Sequence, residues 1–203
     1  DGEVIDMLDG RGDIDDYTVR AVGDAYERIL EDPLRMMRAV RFAEMFGFEI
    51  ENLLKETIEE NGDLLLHIAP ERINGELYKM AFNGWCLAKC VEKMEELGLL
   101  LYVSPLLHRM VGLPHRNDYH PEGGVFEHTM AALRAGKSDD RQVNMCILFH
   151  DIGKTVTLDE DGKYIGHGKK GADLIRDKVH QRLRLSSGLT EAMACCSKVR
   201  MRV

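Results

Sequence analysis

A chain of 203 residues with 44% hydrophobic content is long enough to bury a substantial core, and no run approaches the ~20 apolar residues of a membrane span. The formal net charge of −8 is unevenly spread: residues 1–107 hold 23 acidic and 11 basic side chains, whereas residues 108–203 hold 12 and 16. The first residues are acidic and polar, unlike a basic-plus-apolar leader, and five cysteines without paired zinc spacing read as reduced thiols, so the expected location is cytoplasmic.

Taken in order, residues 1–30 open with a short apolar, extended or hairpin-like piece punctuated by Gly2 and Gly10, and Arg20-Ala21-Val22-Gly23 reads as a second extended piece. A helix is expected from Asp32-Pro33, with Asp32 as N-cap and Pro33 at the first helical position. On it Asp32, Arg35, Arg38 and Arg41 recur every third residue, which puts one acceptor and three guanidinium groups along one side. Leu34, Met37, Ala39, Val40 and Phe42 are left to pack inward. A plain surface ion-pair ladder would have the same pattern.

Gly47 breaks that helix, and an amphipathic helix through Ile50, Leu53, Leu54, Thr57 and Ile58 stops at Asn61-Gly62. Pro70 opens a helix through Ile73, Leu77, Met80 and Ala81, for which Asn83-Gly84 is the expected stop. Trp85 to Gly98 is again helical, with Trp85 and Cys86 assigned to the core, and a short apolar piece follows to Leu107. Pro114 to Gly124 is rich in breakers and reads as a loop. Beyond it come helices near 125–135 and 142–152, a turn at Asp159-Glu160-Asp161-Gly162, and a helix near 170–184. With so little strand the class is all-α. The expected division is a connector at 1–28, a helical body at 29–107 and a second helical domain at 108–203.

His128, the pair His150-Asp151, and His167 form the sharpest constellation. Imidazole and carboxylate are ligands that suit a divalent ion, and two helices of a bundle can bring them together. A bound metal would acidify a water for attack on phosphorus. The competing reading is that His150, at the end of the apolar run Met145-Cys146-Ile147-Leu148-Phe149, is a packed core histidine. The basic excess after Lys163, in Lys169, Lys170, Arg176, Lys178, Arg182, Arg184, Lys198, Arg200 and Arg202, could face a phosphate backbone or lie on an ordinary helical surface.

The segment His128…His150-Asp151-Ile152-Gly153-Lys154, followed by Gly166-His167-Gly168-Lys169-Lys170-Gly171-Ala172, resembles the HD-domain metal-dependent phosphohydrolases in the form attached to bacterial tRNA nucleotidyltransferases. Glu31-Asp32-Pro33-Leu34-Arg35, Arg38-Ala39-Val40-Arg41-Phe42-Ala43 and Pro70-Glu71-Arg72-Ile73 are similar to the neck of class II CCA-adding and poly(A)-polymerase-type enzymes. The resemblance covers nearly the whole chain in order. It implies that Asp32 and Arg35 read the Watson–Crick edge of an incoming CTP or ATP, with Arg38 a turn deeper orienting the pair or meeting a phosphate. A carboxylate accepts from an exocyclic amine and a guanidinium donates to ring acceptors, so the side chains suit that use. In the HD module it implies that His128, His150 and Asp151 are metal ligands and His167 a further ligand or phosphate contact.

By the same resemblance tRNA is the partner, magnesium serves nucleotidyl transfer, and magnesium, manganese, nickel or cobalt could occupy the HD site. The resemblance also implies that the catalytic head should precede residue 1 and that the distant aspartate completing the HD site lies beyond Val203. Nucleotidyl transfer is therefore not expected of this chain alone. Asp6, Asp9, Asp13, Asp15 and Asp16 lack a glycine-rich cradle and make poor substitutes for the head's carboxylates, while Asp173 and Asp177 fall too early to complete the HD site. A self-standing HD phosphohydrolase and an inactive RNA-binding remnant are the alternatives.

Overall fold

The structure, a computed structural model, describes residues 5–114, 123–136, 138–159 and 162–199. The first half comprises α1 (Gly10–Asp15), β1 (Thr18–Val19), α2 (Ala25–Glu31), α3 (Arg35–Phe46), β2 (Glu49–Ile50), α4 (Asn52–Glu60), a 3-10 segment (Gly62–His67), α5 (Pro70–Met80), α6 (Gly84–Glu96), α7 (Leu100–Val103) and α8 (Pro105–His108). The second comprises α9 (Val125–Gly136), α10 (Arg141–Phe149), a 3-10 segment (Ile152–Val156), α11 (His167–Leu174), a π-helical segment (Ile175–Val179), α12 (His180–Leu183) and α13 (Ser187–Lys198). The class is all-α, and among the described residues the strands are two residues each, paired in parallel with Thr18 opposite Glu49 and Val19 opposite Ile50.

The helices share one apolar core. Met36, Met37 and Val40 of α3 pack with Ile58, Ile73, Leu77, Leu87 and Val91, and the core continues through Met94 and Leu133 to Leu148 and Phe149. Helix α6 runs between the halves, packing on α3 from one side and α9 from the other. The α6–α9 crossing is close enough that a Cβ added at Gly84 would stand 2.4 Å from the Leu133 carbonyl oxygen. Asn144 of α10 is fully buried beside it and donates to the carbonyls of Ala81 and Ser138, both at 2.9 Å. This clamps α10 to the α5–α6 turn.

Local chemistry explains where the elements depart from sequence expectation. Asp32 closes α2, and regular α3 begins at Arg35. The Asp32-Pro33-Leu34 turn nevertheless has the chemistry of a cap: Asp32 Oδ1 accepts from the Leu34 amide at 3.3 Å, and its carbonyl accepts from Arg35 N at 3.0 Å. Asn83 starts a helix, whereas the pattern suggested a stop. Its side-chain oxygen accepts from the amides of Trp85 and Cys86 at 2.9 and 3.2 Å. Trp85 is about half exposed, with Lys89 Nζ 4.2 Å from its ring centroid, so only Cys86 of that pair enters the core. Phe42, expected inward, is exposed.

Residues 10–15 of the expected connector form α1, and the extended piece expected at 20–23 begins two residues earlier, at β1. The helix anticipated near Lys170 starts at His167. Pro114 and Gly124, the ends of the predicted loop, form an antiparallel bridge; residues 115–122 of that loop lie outside the described residues, as do Glu160 and Asp161 of the predicted turn and the end of the chain from Arg200. All five cysteines are free thiols.

Candidate functional site

Two polar constellations stand apart on this frame. The first opens between α2, α3, α5 and the segment after β1, as a cleft of about 640 Å³ lined by Arg20, Arg28, Arg35, Arg38 and Arg41, by Lys79, and by the carboxylate of Glu76. Val19, Val22, Ile29, Ala39, Leu54 and Phe42 supply its apolar wall. Spacing of three along α3 puts Arg35, Arg38 and Arg41 on this side while Met36, Met37 and Val40 face the core.

Glu76 organises the cations. It is almost fully buried, accepts from Arg41 Nε at 3.0 Å and from Lys79 Nζ at 2.8 Å, and lies 3.5 Å from Arg38 Nε. Burial by itself would raise its pKa. The hydrogen bonds from Lys79 and Arg41 outweigh that penalty and hold the carboxyl below its ordinary value. Asp32 does not line the cleft. It stands behind Arg38, at 3.5 Å from Nη1, and both its oxygens accept from Arg72 Nη2 at 3.0 Å. The chain is thus Arg72, Asp32, Arg38, Glu76, Arg41: guanidinium and carboxylate in alternation.

Arg35 differs from its neighbours. Its Nε is buried and makes no hydrogen bond among the described residues, while the residue itself lines the cleft. A buried donor without an acceptor costs free energy, which a bound acceptor would recover. The sequence pattern singled out Asp32, Arg35 and Arg38 but not Glu76. Its signal was there in the four-residue step from Arg72 on α5, which puts both on the face turned to α3.

The second constellation gathers around Asp151, at the end of α10. His150 Nε2 lies 3.3 Å and His128 Nε2 4.0 Å from Asp151 Oδ2, and His167 Nε2 lies 3.8 Å from Oδ1. One ligand atom each from His128, His150 and Asp151 falls within a 4.8 Å cluster. His150 Nδ1 donates to the Ile147 carbonyl and His167 Nδ1 to that of Tyr164, each at 2.7 Å, assigning the proton to Nδ1 and the lone pair to Nε2. That donor set fits a divalent ion of the zinc-to-manganese class.

Lys154 complicates the picture: its Nζ is 2.5 Å from Asp151 Oδ2, so a cation already meets one carboxylate oxygen. Desolvation opposes ionisation of Asp151, yet hydrogen bonding and charge from His150, together with Lys154, override it and hold the carboxyl far below the usual range. The centre is held by tight backbone packing. A Cβ at Gly153 would fall 1.9 Å from the His167 carbonyl oxygen and 2.6 Å from Gly171 N, and Ser197 Oγ of α13 donates to the His150 carbonyl at 3.0 Å.

The helical frame is shared with solved structures of about half-length overlap. One solved structure titled tRNA-processing enzyme (apo form I) aligns over 96% of this chain and 46% of its own with a TM-score of 0.61 at 18% identity; another, apo form 2, aligns over 95% and 49% with 0.57 at 20%. In sequence the chain is similar to CCA-adding proteins. It is 35% identical over 195 residues to the Multifunctional CCA protein of Neisseria gonorrhoeae (strain NCCP11945), covering 91% of this chain and 45% of the relative. It is 30% identical over 211 residues to that of Legionella pneumophila (strain Paris), covering 100% and 50%. Residues 47–111 match the family described as "Probable RNA and SrmB- binding site of polymerase A". The chain spans about half the length of the curated relatives it matches. No helix among the described residues is long and apolar enough to cross a membrane.

Proposed function

We propose that the cleft on α3 selects the base of an incoming CTP or ATP for addition to a tRNA 3′ end, within an enzyme of the CCA-adding type. The observation that carries this reading is the row of guanidinium groups, Arg35, Arg38 and Arg41, along one wall of the cleft. The cleft volume lies within the ~300–1,000 Å³ of small-molecule sites. Arg35 donates to ring acceptors of the base, Arg38 orients Asp32 or meets a phosphate, and the excess of guanidinium groups matches a triphosphate. Asp32 stands behind Arg38 and outside the cleft lining, so it accepts an exocyclic amine only from a base that reaches past Arg38; it can do so while keeping Arg72, because a carboxylate offers about four lone-pair sites. The body at 29–107 is then the nucleotide- and RNA-binding unit, following a connector at 1–28. The basic side chains of the second half add phosphate contacts to tRNA.

The test is equilibrium binding of CTP, ATP, GTP and UTP to this chain. Arg35→Ala and Asp32→Ala are expected to erase the preference for CTP and ATP, a change of about 5- to 150-fold for ~1–3 kcal/mol of base discrimination, while tRNA binding is retained. An unchanged preference refutes the assignment.

The cluster around Asp151 supports a second role, an HD-type metal-dependent phosphohydrolase module at 108–203. His128, His150 and Asp151 would hold the ion, with His167 as a further ligand or phosphate contact; the ion supplies Lewis acidity toward a phosphate ester. Metal analysis of the purified chain checks it: stoichiometric metal lost in His150→Ala supports ligation, and a metal content unaffected by that substitution leaves His150 as a packing residue.

A further inference from the structure

The aromatic side chains beside the cleft are not used by the reading above. Tyr17, Phe46 and Phe42 are 64%, 57% and 38% exposed, and with half-buried Phe48 they form a continuous row. Tyr17 and Phe48 meet edge to face at 5.5 Å, Phe48 and Phe46 are 5.9 Å apart, and Phe46 and Phe42 are nearly parallel at 6.0 Å with an interplanar angle of 7°. The backbone dictates the row. Phe42 and Phe46 are one helical turn apart on α3, and the β1–β2 pairing, in which Glu49 N donates to the Tyr17 carbonyl at 2.8 Å, brings Tyr17 beside Phe48.

The row ends at the cleft. Phe42 is one of its lining residues, and the Arg41 guanidinium sits 4.3 Å from the Phe42 ring centroid. We propose that Tyr17, Phe48, Phe46 and Phe42 are a stacking platform on which unpaired ribonucleotides lie as a single strand enters the cation-lined cleft. Such a strand offers flat π-faces for the rings and a phosphate on every residue for the guanidinium groups, whereas a duplex keeps its base faces hidden. An apolar protein surface would suit the rings but not the charged groups at the end of the row, where Arg35 stands beside Arg38, Arg41 and Lys79, which share Glu76, and beside Arg20 and Arg28, which pair with Asp13, Glu51 and Glu31. Asp15, Asp16 and Glu49 adjoin the Tyr17 end in sequence, so the strand's phosphates lie toward the cleft and its bases on the rings.

The inference rests on reading the cleft as a nucleotide site, and the experiment separates the two. Fluorescence anisotropy compares a labelled cytidine oligoribonucleotide with an abasic ribose-phosphate strand of equal length. Phe46→Ala, at an exposed position, is expected to weaken the base-bearing strand about 5- to 100-fold and leave the abasic strand unchanged; Phe46→Leu, which keeps apolar area without a π-face, is expected to weaken it too. CTP and ATP binding are measured on the same proteins. Intact nucleotide binding with no effect of Phe46→Ala on the strand, or equal losses on both strands, overturns the platform. That is also the outcome if the row serves a protein contact. A strand effect as expected, in a wild-type chain that binds neither CTP nor ATP, overturns the cleft reading and supports the platform alone.

Discussion

Replacing Glu76 by alanine takes away the carboxylate on which the cleft cations converge. Lys79 and Arg38 are 54% and 37% exposed, so water takes over most of what Glu76 gave them. Arg41 is only 13% exposed and is left charged and poorly hydrated. The loss is therefore that of one charge-assisted hydrogen bond with incomplete rehydration, ~1.5–3 kcal/mol, short of the ~3–5 kcal/mol for breaking a fully buried pair. For a chain of this size that corresponds to a fall in Tm of ~3–12 °C by calorimetry at neutral pH. Glu76→Gln keeps the shape and one acceptor and is expected to lie between the two.

The pH dependence gives a second reading of the same contact. Because the folded Glu76 carboxyl lies below its ordinary value, its contribution is fully present above the unfolded carboxylate pKa of ~4.3 and is lost as pH falls through the lower folded value. The gap in Tm between wild type and Glu76→Ala is thus constant from neutral pH to about pH 5 and narrows below it. Equal Tm at neutral pH, or a gap that widens in acid, would refute the account of Glu76 as an ionised anchor.

Three further outcomes follow from close contacts. Gly153→Ala places a Cβ against the His167 carbonyl and Gly171 N, which forces α11 from the Asp151 cluster; a loss of ~3 kcal/mol in urea unfolding and of any metal stoichiometry is expected, and wild-type values for both would show the crossing to be pliable. Gly84→Ala sets a methyl against the Leu133 carbonyl of α9, the helix that also carries His128, and is expected to lower Tm by several degrees; a wild-type Tm would show the α6–α9 crossing to be pliable. Lys154→Met removes the cation at Asp151 Oδ2: it should destabilise the metal-free chain and tighten its affinity for manganese or nickel, measured by calorimetric titration, and an affinity equal to or weaker than wild type would mean that Lys154 does not compete with a metal.

The all-α class, most helices and the inward faces of α3, α5 and α6 follow from apolar residues recurring at helical spacing, because that pattern has no way to bury itself except as a helix face. The two constellations were legible for the same reason. A step of three places Arg35 and Arg38 together on α3, and the adjacent pair His150-Asp151 at the end of an apolar run points polar ligands from a buried helix end. Periodicity says which residues share a face, but not which neighbour that face meets. The same local pattern that sends Met37 inward gave Phe42 the same destination, and only the position of α3 against the β1–β2 pair leaves Phe42 and Phe46 in solvent.

Contacts distant in sequence were decided by tertiary structure alone. Glu76 reaches Arg41 across 35 residues and Arg72 reaches Asp32 across 40, so neither partnership has a local signature. Asn83 shows the same limit at short range, since an Asn-Gly pair suits a helix stop as well as a start, and packing of α6 between α3 and α9 selects the start. By itself the sequence determined the elements, the side of α3 that carries the guanidinium groups and the ligand types around Asp151, because these are properties of spacing and chemistry along one chain. Which carboxylate holds which arginine, that Arg35 Nε is left unspent, that Lys154 meets Asp151, and that three exposed aromatic rings line up with half-buried Phe48 were decided by the packing of helices against one another.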